Sequence, residues 1–367
     1  MNTFYLIVPP HFEELALAEL EEKWAIHFPE KTYQVLEKVL GGILIQTELA
    51  LGCYLNKILK IPTRILLRWQ EIKCRDFPTI YQKVLKLNWY EITGHPEIDF
   101  KITVHECRLM HTGRIEETFV KAYKDYQKKF PLKKTWEKEG WSTPTVFIRG
   151  QQDIFTISLD LSGEALYKRE RPLVKHQATL RENFAAGLFY FALKHLDKKD
   201  NLFVADPMCG SGTFLWESSN FYRFSKRTYA YEHSPLYKIV QQSAKPRIES
   251  TLTSKIVGRD QNSTLIENLK TEWVDLDIPQ LWETEDASSP ESHPDIDLVL
   301  CNPPYDERIK LSMTYSELVV HLKRKYPNAL IGVLMSVMKK NHEKAKLNPK
   351  TKLSFSNSGI DVEFYLF

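Results

Sequence analysis

Three stretches combine residue types that can hold a ligand and act on it. Val204 to Thr213 (VADPMCGSGT) joins an apolar strand-like run to Asp206, Pro207, Met208, two glycines and a helix-opening Thr213. Asp206 and Pro207 end the strand, and Gly210 and Gly212 permit positive φ or close backbone approach. Where a parallel strand hands over to a helix, unpaired backbone N–H groups face a ligand beyond the strand's carboxyl end. Glu232 and Asp260 close two later strand-like runs, Thr228 to Glu232 and Lys255 to Asp260. A carboxylate at the first position suits a pair of ribose hydroxyls and one at the second an adenine amino group, although either can also cap a helix. Asp297 to Tyr305 (DLVLCNPPY) ends a further strand in Asn302, Pro303, Pro304 and Tyr305. Asn302 offers a side-chain carbonyl and Pro303 a backbone carbonyl, while neither proline brings a competing N–H. Tyr305 adds a face for stacking a planar base. The pattern is a cradle for an adenosine-containing ligand beside a loop that receives an amino group. Leu215 stands where a dinucleotide fold needs its third glycine, which argues against NAD or FAD.

These residues must be positioned by a parallel sheet. From about Glu170 onwards strand-like and helix-like runs alternate. A helix opened by a capping box, Thr179 to Glu182, leads into the strand ending at Asp206. Then follow strand Thr228–Glu232, helix Leu236–Glu249, strand Lys255–Asp260, helix Ser263–Trp273, strand Ile296–Cys301, helix Tyr315–Tyr326 and strand Ala329–Ser336. Lys352–Phe355 and Val362–Phe367, joined by a turn, predict an antiparallel hairpin at the sheet's far edge. Leu276 to Pro294 is acidic and rich in Ser and Pro, and reads as a mobile surface insertion with no site.

The preceding chain reads as two smaller α+β segments. In the first, Phe12, Ala16, Leu20 and Trp24 fall on one helical face, and Tyr81, Trp89 and Tyr90 read as core. In the second, Ile115, Phe119, Ala122 and Tyr126 line one side of a helix, while Lys121, Lys124 and Lys128 line the other. Arg108, His111 and Arg114 lie near its start. Such a face suits phosphate contact, and equally a solubilising surface.

Composition sets the outer limits. The 367 residues are 43% apolar, carry a net charge of +3 and contain no run long enough to span a membrane. With no signal peptide at Met1, the cytoplasm is the expected location. Five cysteines without a Cys-x-x-Cys pair fit neither a disulfide framework nor a zinc site. Residues 267–297 hold ten carboxylates and one lysine, a local charge of −9, so the remainder carries +12. A basic body with one acidic segment suggests a polyanionic partner.

The glycine turn with the Asn302 to Tyr305 loop resembles the amino-group branch of the S-adenosylmethionine-dependent methyltransferases. Val8 to Glu13 (VPPHFE), Arg108 to Thr112 (RLMHT), Leu161 to Arg169 (LSGEALYKR) and Asn302 to Arg308 (NPPYDER) narrow it. They resemble the THUMP-containing RNA guanine-N2 methyltransferases, most of all the bacterial enzymes of 23S rRNA. The resemblance covers nearly the whole chain. It implies an α/β fold: a ferredoxin-like unit at 1–65, a THUMP RNA-binding domain at 66–169 and a Rossmann-like class I methyltransferase domain at 170–367. It also implies Asp206, Met208, Gly210, Gly212, Thr213, Glu232 and Asp260 as cofactor contacts, with Asn302, Pro303, Pro304 and Tyr305 holding the base. Arg108, His111, Arg114, Lys121, Lys124, Lys128, Lys168 and Arg169 would meet RNA. No metal is required. The chain departs from the family pattern at Glu170, His176-Gln177 and Asp306.

The implied reaction is attack by a guanine N2 amino group on a sulfonium methyl, with no covalent enzyme intermediate. Adenine-N6 chemistry and tRNA as substrate share the same loop. A non-catalytic RNA-binding assembly factor is the reading from a different class.

Overall fold

The computed structural model describes residues 1–131, 137, 139–169, 180–243, 245–247, 251–274, 276–304, 313–337, 348–357 and 359–367. It divides into two compact units. The first comprises Met1–Val8, Trp24–Leu166 and Lys226–Arg247, and the second Pro9–Lys23, Tyr167–Ser225 and Ile248–Phe367.

The first unit is built on seven strands: β1 Asn2–Ile7, β2 Gln34–Val39, β3 Gly42–Thr47, β4 Arg64–Lys73, β5 Asp99–His105, β6 Thr145–Gln151 and β7 Ile154–Asp160. Their order is β2-β3-β1-β4-β7-β6-β5, antiparallel except for the parallel pair β5 and β6. The expected boundary at 65/66 falls inside β4, which pairs with β1 on one side and β7 on the other. One strand thereby joins both N-terminal segments into a single sheet. The helix α1, Glu13–His27, is divided between the units after Lys23. Phe12, Ala16, Leu20 and Trp24 are all buried, as their spacing predicts. Helix α2, Leu49–Ile58, follows β3, and α3, Phe77–Leu85, starts where the Asp76 side chain accepts the Thr79 N–H at 2.8 Å. Trp89 is fully buried, with its ring against Phe100 and Tyr123. Tyr81 and Tyr90 are only half-buried, at the rim of the core in which the sequence pattern placed them.

The second unit is an α/β layer with seven strands: β8 Leu202–Asp206, β9 Thr253–Asp260, β10 Gln280–Thr284, β11 Leu298–Cys301, β12 Leu330–Ser336, β13 Thr351–Asn357 and β14 Ile360–Leu366. The order is β10-β9-β8-β11-β12-β14-β13. β10 to β12 run parallel, and β13–β14 form the antiparallel edge hairpin. This is the expected Rossmann-like topology. Its strands are almost wholly apolar because a parallel sheet is covered on both faces. Phe12, Phe184 and Phe355 pack edge-on and stacked within 5.2 Å of one another.

Four elements differ from the sequence pattern. Thr228 to Glu232 forms no strand. Ala230–His233 is a 3-10 turn in the first unit, because Arg227 reaches into the chain and donates to the carbonyls of Ser162, Glu164 and Ala165 at 2.6–2.9 Å. The following helix, α7, Leu236–Gln241, ends well short of Glu249. The Leu276 to Pro294 segment is no passive insertion, since its residues Gln280–Thr284 are β10, in register with Ile256–Asp260. Helix α5, Glu182–Lys194, begins after Arg181, so Glu182 is its first residue and not the third of a capping box; Thr179 lies outside the described residues.

Candidate active site

Strand order places the site. From β8 the chain moves to β9 on one side, while β11 and β12 lie on the other side, so the sheet's topological switch point falls between β8 and β11. The crevice beyond the carboxyl ends of two such strands is where open α/β sheets bind ligands. Val204 and Ala205 pair with Leu298 and Val299, so the glycine turn after β8 and the Asn302 loop after β11 leave the same edge side by side.

The turn after β8 is held by its own backbone. The Met208 N–H donates to Asp206 Oδ1 at 3.0 Å, and the Gly212 N–H to the Cys209 carbonyl at 2.7 Å. Gly210 and Gly212 have φ of +51° and +74°, the left-handed region that glycine enters at little cost. Gly212 caps helix α6, Thr213–Asn220. Its missing side chain has a packing reason: a Cβ there would lie 2.7 Å from the Trp273 ring, so its Cβ direction faces the core and not the crevice. Ser211 and Thr213 share a hydroxyl hydrogen bond at 3.1 Å.

Asp260 closes the cradle from β9. Its Oδ2 accepts the Gly210 N–H at 3.0 Å and its Oδ1 the Asn262 N–H at 2.9 Å. Asn262, in turn, caps helix α8, Ser263–Glu272. The Cys209 N–H donates to the Arg259 carbonyl at 2.8 Å, so the turn is tied to β9 at two successive residues. Burial pushes the Asp206 carboxyl well above the usual carboxylate range, and the Asp260 charge adds to this against the Met208 hydrogen bond. Such an environment favours a cationic ligand. Cys301 and Cys209 are buried thiols raised chiefly by desolvation, with Asp206 contributing to both. All five cysteines are free and buried, as their pattern predicts.

Asn302 and Pro304 are half-buried and Pro303 is buried. Asn302 Oδ1 is shielded from solvent and accepts no hydrogen bond among the described residues. A buried carbonyl oxygen without a donor is costly to an empty protein and suits one that receives an N–H from its ligand. Tyr305 and Asp306, with Glu170 and His176-Gln177, lie outside the described residues.

Glu232 does not end a strand. It sits in the 3-10 turn of the first unit and pairs with Lys57 at 3.1 Å.

The basic residues are sorted by the fold. Helix α4, Thr112–Lys129, buries Ile115, Phe119, Ala122, Tyr123 and Tyr126 and exposes Lys121, Lys124 and Lys128. Arg108, His111 and Arg114 are exposed around its start. Lys121 lies over the Tyr81 ring, Arg114 over the Phe77 ring, and Lys128 pairs with Asp125 at 2.7 Å. Lys168 is exposed in the second unit. Arg169, expected as an RNA contact, is instead turned inward with a side chain 5% exposed, paired with the buried Glu217. Sequence reading also missed Arg259 and Glu285, whose partners lie far along the chain, and the Thr314–Glu317 capping box that opens helix α9, Tyr315–Lys325. The T-x-x-E spacing signalled the latter.

Residues 169–354, just over half of the chain, match the family model UPF0020, described as the RMKL-like methyltransferase domain. The chain belongs to that family. Two of its relatives illustrate the likeness. The chain is 25% identical over 327 residues to a tRNA (guanine(6)-N2)-methyltransferase of Methanocaldococcus jannaschii, covering 83% of this chain and 82% of the relative. It is also 25% identical over 335 residues to the ribosomal RNA large subunit methyltransferase K/L of Marinomonas sp., covering 84% of this chain and 46% of the relative. The RMKL-like chain thus spans about half the length of the K/L enzymes it matches. The structure of SMU.472 complexed with SAH superposes with a TM-score of 0.73 at 20% identity, covering 100% of this chain and 97% of the other. Among the described residues no helix is long and apolar enough to cross a membrane.

Proposed function

We propose that this protein transfers a methyl group from S-adenosylmethionine to the exocyclic N2 of guanine in RNA, with 23S rRNA as the substrate and the cytoplasm as the place of action. The buried, undonated Oδ1 of Asn302 at the switch point carries the reading. When bound, S-adenosylmethionine supplies an electrophilic sulfonium methyl. The residues present fit that group: a buried carboxyl, Asp206, that gains from a nearby cation, beside a glycine turn whose shape is fixed by hydrogen bonds from the Met208 and Gly210 N–H groups to Asp206 and Asp260. Asp206, Met208, Gly210 and Thr213 would line its amino-acid side, with Asp260 accepting from the adenine amino group. Each Asp260 oxygen already takes one backbone N–H and keeps a second lone pair.

A guanine N2 lone pair is delocalised into the ring and makes a weak nucleophile. Asn302 Oδ1 and the Pro303 carbonyl would accept hydrogen bonds from the amine's two N–H groups, aim the lone pair at the methyl group and stabilise the positive charge developing on nitrogen, which is discharged by loss of one proton to solvent once S-adenosylhomocysteine has been formed as the leaving group. Pro304 stiffens the loop, and Tyr305 would stack on the base once it is flipped out. Arg108, His111, Arg114, Lys121, Lys124, Lys128 and Lys168 would supply phosphate contacts that do not depend on sequence. The sheet shared through β4 would combine a ferredoxin-like part before it with a THUMP RNA-binding part that runs to 169, and 170–367 would be catalytic.

A second substrate, tRNA, is favoured by the match in length to the archaeal tRNA enzyme. The test is transfer of labelled methyl to RNA from a strain lacking the gene, with 23S rRNA and tRNA separated before nucleoside analysis. Label in N2-methylguanosine of the 23S fraction is expected, and label confined to tRNA moves the substrate. Asn302→Ala should cut turnover about 100-fold or more while still binding S-adenosylhomocysteine. Wild-type turnover in that variant would refute the proposed role of the loop.

A further inference from the structure

The acidic segment after helix α8 reaches the candidate site through one residue. Glu285 follows β10, and its backbone N–H donates to the Asp260 carbonyl at 3.1 Å. Its carboxylate meets Arg259 Nε at 2.7 Å and Lys325 Nζ at 2.7 Å. Both cationic side chains are almost fully buried, at 2% and 1% exposure. Glu283 takes a second side of the Arg259 guanidinium at 2.7 Å, and Arg259 Nη1 donates to the Tyr326 hydroxyl at 3.1 Å. Burial pushes the Glu285 carboxyl up, but the hydrogen bonds from Lys325 and Ser289 and the charges of Lys325 and Arg259 hold it below the usual range.

Glu285 and Glu291 also lie with His293 close enough to suggest a metal trio, their ligand atoms within 4.8 Å of one another. Two buried cations already neutralise Glu285, so a divalent ion would meet repulsion there. The same contacts point to a mechanical role. Arg259 immediately precedes Asp260, its carbonyl holds the Cys209 N–H, and Lys325 ends the helix α9 that follows the Asn302 loop in sequence.

We propose that Glu285 is a positioning residue that fixes Asp260 for recognition of the cofactor's adenine amino group, by bracing β9 against Lys325 of α9. This rests on the cofactor site proposed above. Glu285 touches residues 259 and 260 together, one through its side chain and the other through its backbone, so the strand end cannot rotate without breaking a buried ion pair. Asp260 then presents its remaining lone pairs in one direction.

The test compares binding of S-adenosylhomocysteine with its deaminated analogue S-inosylhomocysteine, which lacks the amino group, alongside methyl-transfer kinetics on RNA. A hydrogen bond to a charged acceptor corresponds to about a tenfold preference for the amino compound in the wild-type protein. In Glu285→Gln that preference should fall towards one, KM for S-adenosylmethionine should rise about tenfold, and kcat should stay within about twofold. Glu285→Asp, which keeps the charge, should recover part of the preference. If Glu285→Gln folds poorly, the double variant with Lys325→Met removes one unpaired cation and should show the same loss of preference. An unchanged preference in a folded variant, or equal losses for both ligands, overturns the proposal while leaving the cofactor site standing. A wild-type protein that binds neither ligand overturns the site itself.

Discussion

Gly212→Ala tests how the cradle is built. Two costs add at this position. The φ of +74° places an L-residue in the left-handed region, at about 1–2 kcal/mol. The new Cβ would lie 2.7 and 2.9 Å from two atoms of the Trp273 ring and 3.2 Å from Leu269 Cδ2. Trp273 has little room to yield, being 1% exposed and packed edge-on against both Trp216 and Trp282 at 5.3 and 5.1 Å. Overpacking a core of this kind costs about 1–3 kcal/mol. The sum is about 2–5 kcal/mol, or roughly 4–20 °C in melting temperature for a unit of this size. Gly359 provides the reference, because its φ is +83° but no atom lies within 4 Å of its would-be Cβ. Gly359→Ala should therefore show the backbone cost alone, roughly 2–8 °C. Thermal unfolding of both variants, followed by tryptophan fluorescence without ligand, separates the terms. A Gly212→Ala protein melting no lower than Gly359→Ala would refute the packing reasoning. A Trp273→Leu background should relieve the contact and shrink the Gly212 effect by about 1 kcal/mol or more.

Two further outcomes follow from the charges. The Asp206 carboxyl is raised in the fold, so the folded protein keeps a proton that the unfolded chain releases near the ordinary value of 3.8. Stability therefore falls as pH climbs from that value towards the folded one, and stays reduced above it. Asp206→Asn keeps an acceptor for the Met208 N–H, so it should match the wild type near pH 4, melt higher at pH 8 and lose affinity for S-adenosylmethionine. Parallel melting curves across that range would sink the assignment. On α4, Lys124→Gln and Lys121→Gln should each flatten the salt dependence of RNA affinity, by about 0.7 in the log–log slope for a single strand. Lys128→Gln should do less because Asp125 already engages Lys128, and an equal effect at all three would argue against that ranking.

The residues of the cradle were legible because punctuation there is local. Asp206, Pro207 and two glycines stop β8 and turn the chain within a few positions, and Asn302 with two prolines does the same after β11. Apolar strands between such stops leave few other readings, which is why the parallel order and the terminal hairpin followed from sequence. Thr228 to Glu232 failed for a distant reason. Its alternation of Tyr229 and Tyr231 resembles a strand, but both rings are buried in a turn anchored by Arg227 to carbonyls more than 60 positions back. Arg169 is similar: nothing near it signals Glu217, 48 residues on. A basic motif end reads as surface until a buried acid takes it.

Charge counting misled at the acidic segment for a related cause. A local −9 suggests repulsion and solvation only if the compensating cations are far away. Here two of them are buried beneath it, Arg259 from β9 and Lys325 from α9, and neither can be stable there without a carboxylate partner. The segment also forms the sheet's outer parallel strand, where charged side chains discourage pairing with another chain. Trp282 faces inward from that strand and is buried against Trp273, while Glu283 and Glu285 turn to Arg259. One short strand therefore covers the core, guards the edge and neutralises the cation next to Asp260. Averaging the composition over 31 residues conceals all three, because the decisive residues occupy only Trp282 to Glu285.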